Sequence, residues 1–270
     1  MTIERFRERI WRWYRRHGRH DLPWRKTHDP YRILVSEVML QQTQVWRVIP
    51  KYRAFIQRFP TIRALHRAPL GAVLRAWQGL GYNRRAKHLK ELTRIVNEKF
   101  DGAVPRDPNT LRTLPGIGPG TAGAIAAFAF GRRVAFLETN VRRVYLHYFF
   151  RRRPNVRDRE ILPIVERTLP HRNVRDWYYA LMDYGAAALR KTPNPNRRSA
   201  HYARQPRFAG SVRQLRGRIL REVIAGKAVT FGVLGRRLGR ARPRSLVRRT
   251  SRELAREGLI RIQQNTLTPP

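Results

Sequence analysis

The sequence predicts an all-α fold with a small winged-helix-like domain at its C-terminal end. Three observations carry this expectation. From Pro30 to Phe130, apolar residues recur at helical spacing between Pro and Gly breaks, and no useful strand-like alternation interrupts them. Between Lys191 and Gly210 hydrophobicity drops, and Pro193, Pro195 and Pro206 stand among Arg, Asn and Ser, which marks a linker or irregular wrap. Beyond it the pattern reads helix, helix, helix, strand, an order that suits a winged helix-turn-helix.

Taken in order, Met1–His20 is an Arg-rich amphipathic stretch whose Glu4, Glu8, Trp11, Trp13 and Tyr14 fit a docking helix better than an organelle presequence. Leu34, Val38, Gln41 and Val45 fall on one helical face. So do Ala122, Ile125, Ala126 and Ala129, after the Pro115–Pro119 turn. Past the linker, Val212–Ile224 is a helix, Thr230 an N-cap for Phe231–Leu238, Ser245–Glu257 a third helix and Leu259–Gln263 a strand. Arg248, Arg249, Arg252 and Arg256 decorate the third helix, which suits either a groove-reading helix or the solvated face of a docking module.

Across 270 residues there are 58 Lys and Arg against 18 Asp and Glu, a formal net charge of +40 spread along the whole chain. Such an excess, carried mostly by Arg with its two-pronged fit to phosphate, implies a polyanionic partner. The chain has no Cys, which excludes disulfides, thiolate metal sites, Cys nucleophiles and Cys-ligated iron–sulfur clusters. No apolar run reaches membrane-spanning length and no signal core precedes the first helix, so a cytoplasmic, nucleoid-associated protein without a membrane partner is expected.

Leu114-Pro115-Gly116-Ile117-Gly118-Pro119-Gly120-Thr121 ends one helix, turns on glycines and opens another, leaving backbone N–H groups free at a helix N-terminus to grip a phosphate. Gly116 and Gly118 admit close approach of an anion, and Ile117 plugs the gap between the two helices. The pattern is that of a helix-hairpin-helix. Glu37 stands in an apolar helix, where desolvation by Leu34, Val38, Leu40 and Trp24 favours a protonated carboxyl over a surface salt bridge with Arg25 or Arg32. Tyr82, between Gly81 and Asn83, sits in a turn that suits a stacking finger better than a core aromatic.

The hairpin, together with Ser36-Glu37-Val38-Met39-Leu40-Gln41-Gln42-Thr43-Gln44-Val45, Gly79-Leu80-Gly81-Tyr82 and Leu137-Glu138-Thr139-Asn140-Val141, resembles the MutY-type adenine DNA glycosylases of the helix-hairpin-helix superfamily. The likeness runs from about Trp13 to Gly185. It implies a two-lobed core at 1–205, with one lobe at 25–133 and a second made of 1–24 plus 134–205, the cleft between them, and a separate domain at 211–270. It also implies that Glu37 is the general acid protonating adenine, that Glu138 stabilises the cationic sugar, and that Asn140 orders the site. Trp24, Arg25 and Leu40 would form the base pocket. Gln42 and Tyr82 would fill the gap left by the extruded base, and Gly116, Ile117, Gly118, Gly120, Thr121, Arg197 and Arg198 would hold the strand.

Three departures from the family qualify the expectation. Glu138 replaces the family's Asp and is one methylene longer. Gly120 stands where backbone-cutting relatives carry a nucleophilic Lys, which leaves water as the acceptor and implies a monofunctional glycosylase. The four cluster-binding Cys positions hold Leu189, Asn196, Ser199 and Gln205, so no iron–sulfur cluster, no other cofactor and no metal are expected. Full-length adenine enzymes add a domain that recognises 8-oxoguanine, whereas Arg213–Pro270 looks more like a short winged tail. The expected protein is a monomeric enzyme removing adenine opposite guanine or 8-oxoguanine in double-stranded DNA. Thymine or uracil excision from mispairs with guanine, and lesion binding with little or no catalysis, are the alternatives.

Overall fold

The computed structural model describes residues 1–226, 228–239 and 243–270. Its helices, in chain order, are α1 Ile3–His17, α2 Pro30–Leu40, α3 Val45–Arg58, α4 Ile62–Arg67, α5 Leu70–Trp77, α6 Arg84–Lys99, α7 Pro108–Arg112 and α8 Pro119–Phe130. They continue as α9 Thr139–Phe149, α10 Asp158–Thr168, α11 Val174–Asp183, α12 Val212–Ala225, α13 Phe231–Leu238 and α14 Arg244–Arg256. Three short strands, β1 Val229–Thr230, β2 Arg261–Gln263 and β3 Thr266–Thr268, complete the described fold. None of the described helices is long and apolar enough to cross a membrane.

Contacts divide the chain into two compact units, one made of Met1–Glu37 and Pro105–Arg204, the other of Val38–Val104 and Gln205–Pro270. These are not the lobes expected from the sequence. Residues 25–37 and 105–133 cluster with the N-terminal helix, and the C-terminal segment clusters with Val38–Val104 instead of standing alone. The physical reason for the second difference is direct packing. Helix α12 lies against α5, and the Lys87 ammonium donates to the Glu257 carbonyl at 2.6 Å.

In the first unit, α1 buries Phe6, Ile10 and Tyr14, the fourfold spacing of one helical face. The Phe6 ring meets Tyr148 and Trp177 edge-on at 5.4 and 5.8 Å. Arg7 donates to the carbonyls of Arg167, Thr168 and Leu169, satisfying the open end of α10. Helix α8 is buried from Ala122 through Phe128, small residues letting neighbours close in on every side. Gly123 shows the limit, since a Cβ there would lie 2.4 Å from the Cβ of Phe136.

The second unit has its own core, in which Phe55 packs edge-on against Phe59 and Trp77. Helix α2 ends at Leu40 and α3 starts at Val45, so the single face expected from Leu34 to Val45 is broken. The break lies at Gln42, whose φ of 53° no helix accommodates. At the C-terminal end the sheet order is β1-β3-β2, all antiparallel, with Thr230 capping α13 through its hydroxyl. This is a winged helix-turn-helix. The strand expected at Leu259–Gln263 is one half of a hairpin whose partner, β3, has too short an alternation to show in sequence.

Candidate active site

Helix α2 carries Glu37 into an apolar environment, where the residue is 9% exposed. Burial pushes its carboxyl up to about 8, helped by the negative charge of Glu138 and opposed by the Arg25 guanidinium. Neither of the salt-bridge partners that a surface role would need is available to it. Arg32 lies near Asp29, and Arg25 is held by Asp183 through a two-pronged pair at 2.7 and 2.9 Å.

Glu138 is the N-cap of α9. Its Oε1 accepts from the backbone amides of Asn140 and Val141 at 2.7 and 2.8 Å, and Oε2 accepts from Asn140 Nδ2 at 3.3 Å. Asn140 thus orders the carboxylate itself. Burial raises the Glu138 carboxyl, while those donors and the charge of Arg142 act to keep it ionised. Arg142 is fixed in turn by a two-pronged bond to Asp158 at 2.7 and 2.6 Å. Two acids whose charges oppose each other cannot both ionise freely. Amide donors oppose the rise at Glu138, whereas burial and the charge of Glu138 together raise Glu37.

Two glycines allow the backbone to close in around the segment that bears Glu138. A Cβ on Gly120 would stand 2.8 Å from the Leu137 carbonyl oxygen, immediately before Glu138. One on Gly185 would stand 2.3 Å from the carbonyl oxygen of Asn140. The missing side chain at Gly120 therefore lets the segment bearing the longer acid approach α8. Arg143 locks the second contact by donating to the Gly185 carbonyl at 2.9 Å.

Behind the acids lies a charged support that the sequence reading did not identify. Asp183 is 1% exposed. Burial acts to raise it, yet the bonds and charge of Arg25, with those of Arg19, hold it below the usual carboxylate range. Arg25, expected as a base-pocket residue, lies 4.2 Å over the Tyr179 ring, and its Nε–H is buried without a partner. Arg175 secures the loop that bears Trp24 and Arg25 through the carbonyls of Arg25 and Thr27 at 2.9 and 2.7 Å. Trp24 is buried.

The glycine hairpin forms as expected between α7 and α8, with Gly116 at φ 78° and Ile117 buried. Gly118 is exposed and caps α8 with its backbone, and nothing lies within 4 Å of the place where a Cβ would be. Thr121, in the first turn of α8, is half-buried.

In the second unit Gln42 is exposed, and Tyr82 has a φ of 48° and is 37% exposed. The Tyr82 hydroxyl is bonded to the side chains of Gln205 and Arg213, a tether no sequence pattern showed. Leu40 is half-buried at the last position of α2. Both turns are fixed by one side chain the sequence reading missed. Arg85 is 8% exposed and has no acidic partner among the described residues. It donates to the carbonyls of Val38, Met39 and Gln41 at 2.9, 2.8 and 2.5 Å. Its other terminal nitrogen, Nη2, reaches the Thr43 hydroxyl at 2.9 Å and the carbonyls of Leu80 and Gly81 at 3.3 and 3.0 Å. Burial lowers its pKa to about 10, and the open carbonyls at the end of α2 supply the negative pole it faces. The signal was present, because Arg85 stands on the buried stripe of α6 with Leu89, Leu92 and Val96.

The four positions that the resemblance assigns to an iron–sulfur cluster do not fit one. Leu189 is in the core, Asn196 donates to the Thr139 carbonyl at 3.1 Å, Ser199 bridges to Val156, and Gln205 reaches Tyr82. None offers sulfur. The Arg190–Arg204 loop is fastened by hydrogen bonds, including Arg198 to the Leu146 and Arg151 carbonyls at 2.9 Å each. Arg198, expected to hold the strand, is engaged with those two carbonyls, whereas Arg197 is exposed. Among the described residues no group of three or more acids and histidines is placed to hold a metal ion.

A helical core with a glycine hairpin and two opposed carboxyls defines a class. Residues 35–164 match the HhH-GPD superfamily of base excision DNA repair proteins. Among relatives, an adenine DNA glycosylase of Mycolicibacterium smegmatis is 42% identical over 228 residues, 77% of this chain and 76% of that protein. One from Buchnera aphidicola is 39% identical over 201 residues, covering 73% of this chain and only 56% of the relative's length. A thermostable thymine-DNA glycosylase structure overlays with a TM-score of 0.64 at 29% identity, over 71% of this chain and 90% of that one. The chain belongs to the adenine DNA glycosylase family of that superfamily.

Proposed function

We propose that this protein is a monofunctional DNA glycosylase of base excision repair that hydrolyses the N-glycosidic bond of adenine mispaired with guanine or 8-oxoguanine. The observation that carries the reading is a pair of buried acids, Glu37 pushed up to about 8 and Glu138 raised by burial against the pull of two backbone amides. Glu37 donates its proton to the departing base, so that the base leaves neutral. Glu138 stabilises the positive charge that grows on the sugar. Water completes the cleavage, because Gly120 offers no amine in the hairpin to capture the sugar. An extruded nucleotide on double-stranded DNA is the substrate that such a pair requires, and a +40 chain draws that polyanion. The site residues named above act within one chain, so a monomer suffices.

The test is a single-turnover assay on duplexes holding A·G, A·8-oxoG, T·G and U·G, with Glu37→Gln and Glu138→Ala as controls. Adenine release above both controls supports the reading. Release of thymine or uracil alone would move the substrate to the chemistry named for the thymine-DNA glycosylase neighbour, and no release on any duplex would leave only a lesion-binding protein.

A further inference from the structure

Helix α14 buries Val247, Thr250, Ser251 and Leu254 along one stripe. Ser245, Arg249, Arg252 and Arg256 recur at spacings of four, three and four residues, and all are exposed. Arg248 flanks them, its guanidinium 5.1 Å over the Phe231 ring of α13. The two acids near the end of the helix are diverted elsewhere. Glu253 and Glu257 face Arg216 of α12 at 3.7 and 2.6 Å. Among the described residues, no acidic side chain pairs with Arg248, Arg249, Arg252 or Arg256. Beside the helix, the β2–β3 hairpin exposes Arg261, Gln263, Gln264 and Asn265.

We infer that α14 and the β2–β3 hairpin form a second surface for double-stranded DNA, with α14 lying in a major groove and the hairpin on the flanking backbone. An α-helix with its side chains matches the width of that groove. Guanidiniums at one-turn intervals reach phosphates and the acceptor edge of guanine. A protein or membrane partner would call for apolar side chains on the same face, and among the described residues the exposed large hydrophobic ones lie elsewhere, at Met1, Trp46, Tyr82, Tyr202, Phe208 and Val212. The surface belongs to the unit that does not carry Glu37 and Glu138. Binding there is thus separable from base release.

The experiment measures affinity of the full chain for an undamaged duplex by fluorescence anisotropy across a salt series, in a Glu37→Gln background so that base chemistry plays no part. R249A/R252A/R256A is compared with R5A/R12A/R16A, which removes the same charge from the exposed face of α1. Matching thermal melts establish that both variants are folded. The α14 variant should bind about tenfold more weakly at physiological salt, and the slope of log affinity on log salt should fall by about 2 to 3. R249K/R252K/R256K should keep most of the slope. An equal loss in the α1 variant would reduce the effect to net charge and overturn the inference. So would unchanged duplex affinity, or a loss confined to single-stranded RNA. None of these outcomes depends on which base is excised.

Discussion

Replacing Glu37 by Gln should make the protein more stable at neutral pH, by an amount that follows from burial of the acid. In the folded chain the carboxyl titrates at about 8 against an ordinary 4.5. A group whose pKa is raised on folding leaves stability intact below 4.5 and erodes it as pH rises toward 8, because the unfolded chain ionises while the folded one stays neutral. At about 1.4 kcal/mol per pKa unit, the erosion specific to Glu37 between pH 5 and 7.5 is about 3 kcal/mol. Gln is neutral throughout and escapes it. Urea denaturation of both proteins at pH 5 and pH 7.5 reads the difference directly. The gap between Glu37→Gln and the parent should widen by about 3 kcal/mol in favour of the variant over that range. A gap that stays constant would mean that Glu37 is ionised in the folded protein, and the assignment of the acid would fail with it.

The same titration predicts that single-turnover base release falls about tenfold per pH unit above pH 8, as Glu37 loses its proton; a flat profile through pH 9 would contradict it. Gly120→Ala forces a Cβ to within 2.8 Å of the Leu137 carbonyl and so displaces Glu138, for which a drop of about 10- to 100-fold in the release step is expected, read by quenched-flow or timed alkaline cleavage. Arg85→Lys keeps the charge but not the fan of donors that reaches two loops, and should cost about 3 kcal/mol in chemical denaturation. Asn196→Ala breaks the bond to the Thr139 carbonyl and should lower stability by about 1 to 2 kcal/mol in the same denaturation experiment.

The hairpin and the acid at 37 were legible because their chemistry is local. Gly116 needs its positive φ, Ile117 follows at the one apolar position, and a Glu between Val35 and Val38 has few other reasons to exist. Glu138 was found by position, but its role as an N-cap shows only when Asn140 and Val141 turn their amides to it. Long-range polar bonds were hidden. The partners of Arg85 from Val38 to Thr43, like those of Asp183, lie far from them along the chain, and those of Asp183 come within reach only when folding brings 25 beside 183. The grouping of segments into units is hidden for a related reason: packing of α12 on α5 joins segments well over a hundred residues apart, and no local pattern records it.

The clasp made by Arg85 has a dynamic consequence. Because a single guanidinium ties the turn after α2 to the turn before α6, neither can swing outward without releasing the other. Amide hydrogens around Gln42 and Tyr82 should therefore exchange with solvent in one concerted opening, with a shared free energy, so the two turns behave as a single gate whose latch is buried below them.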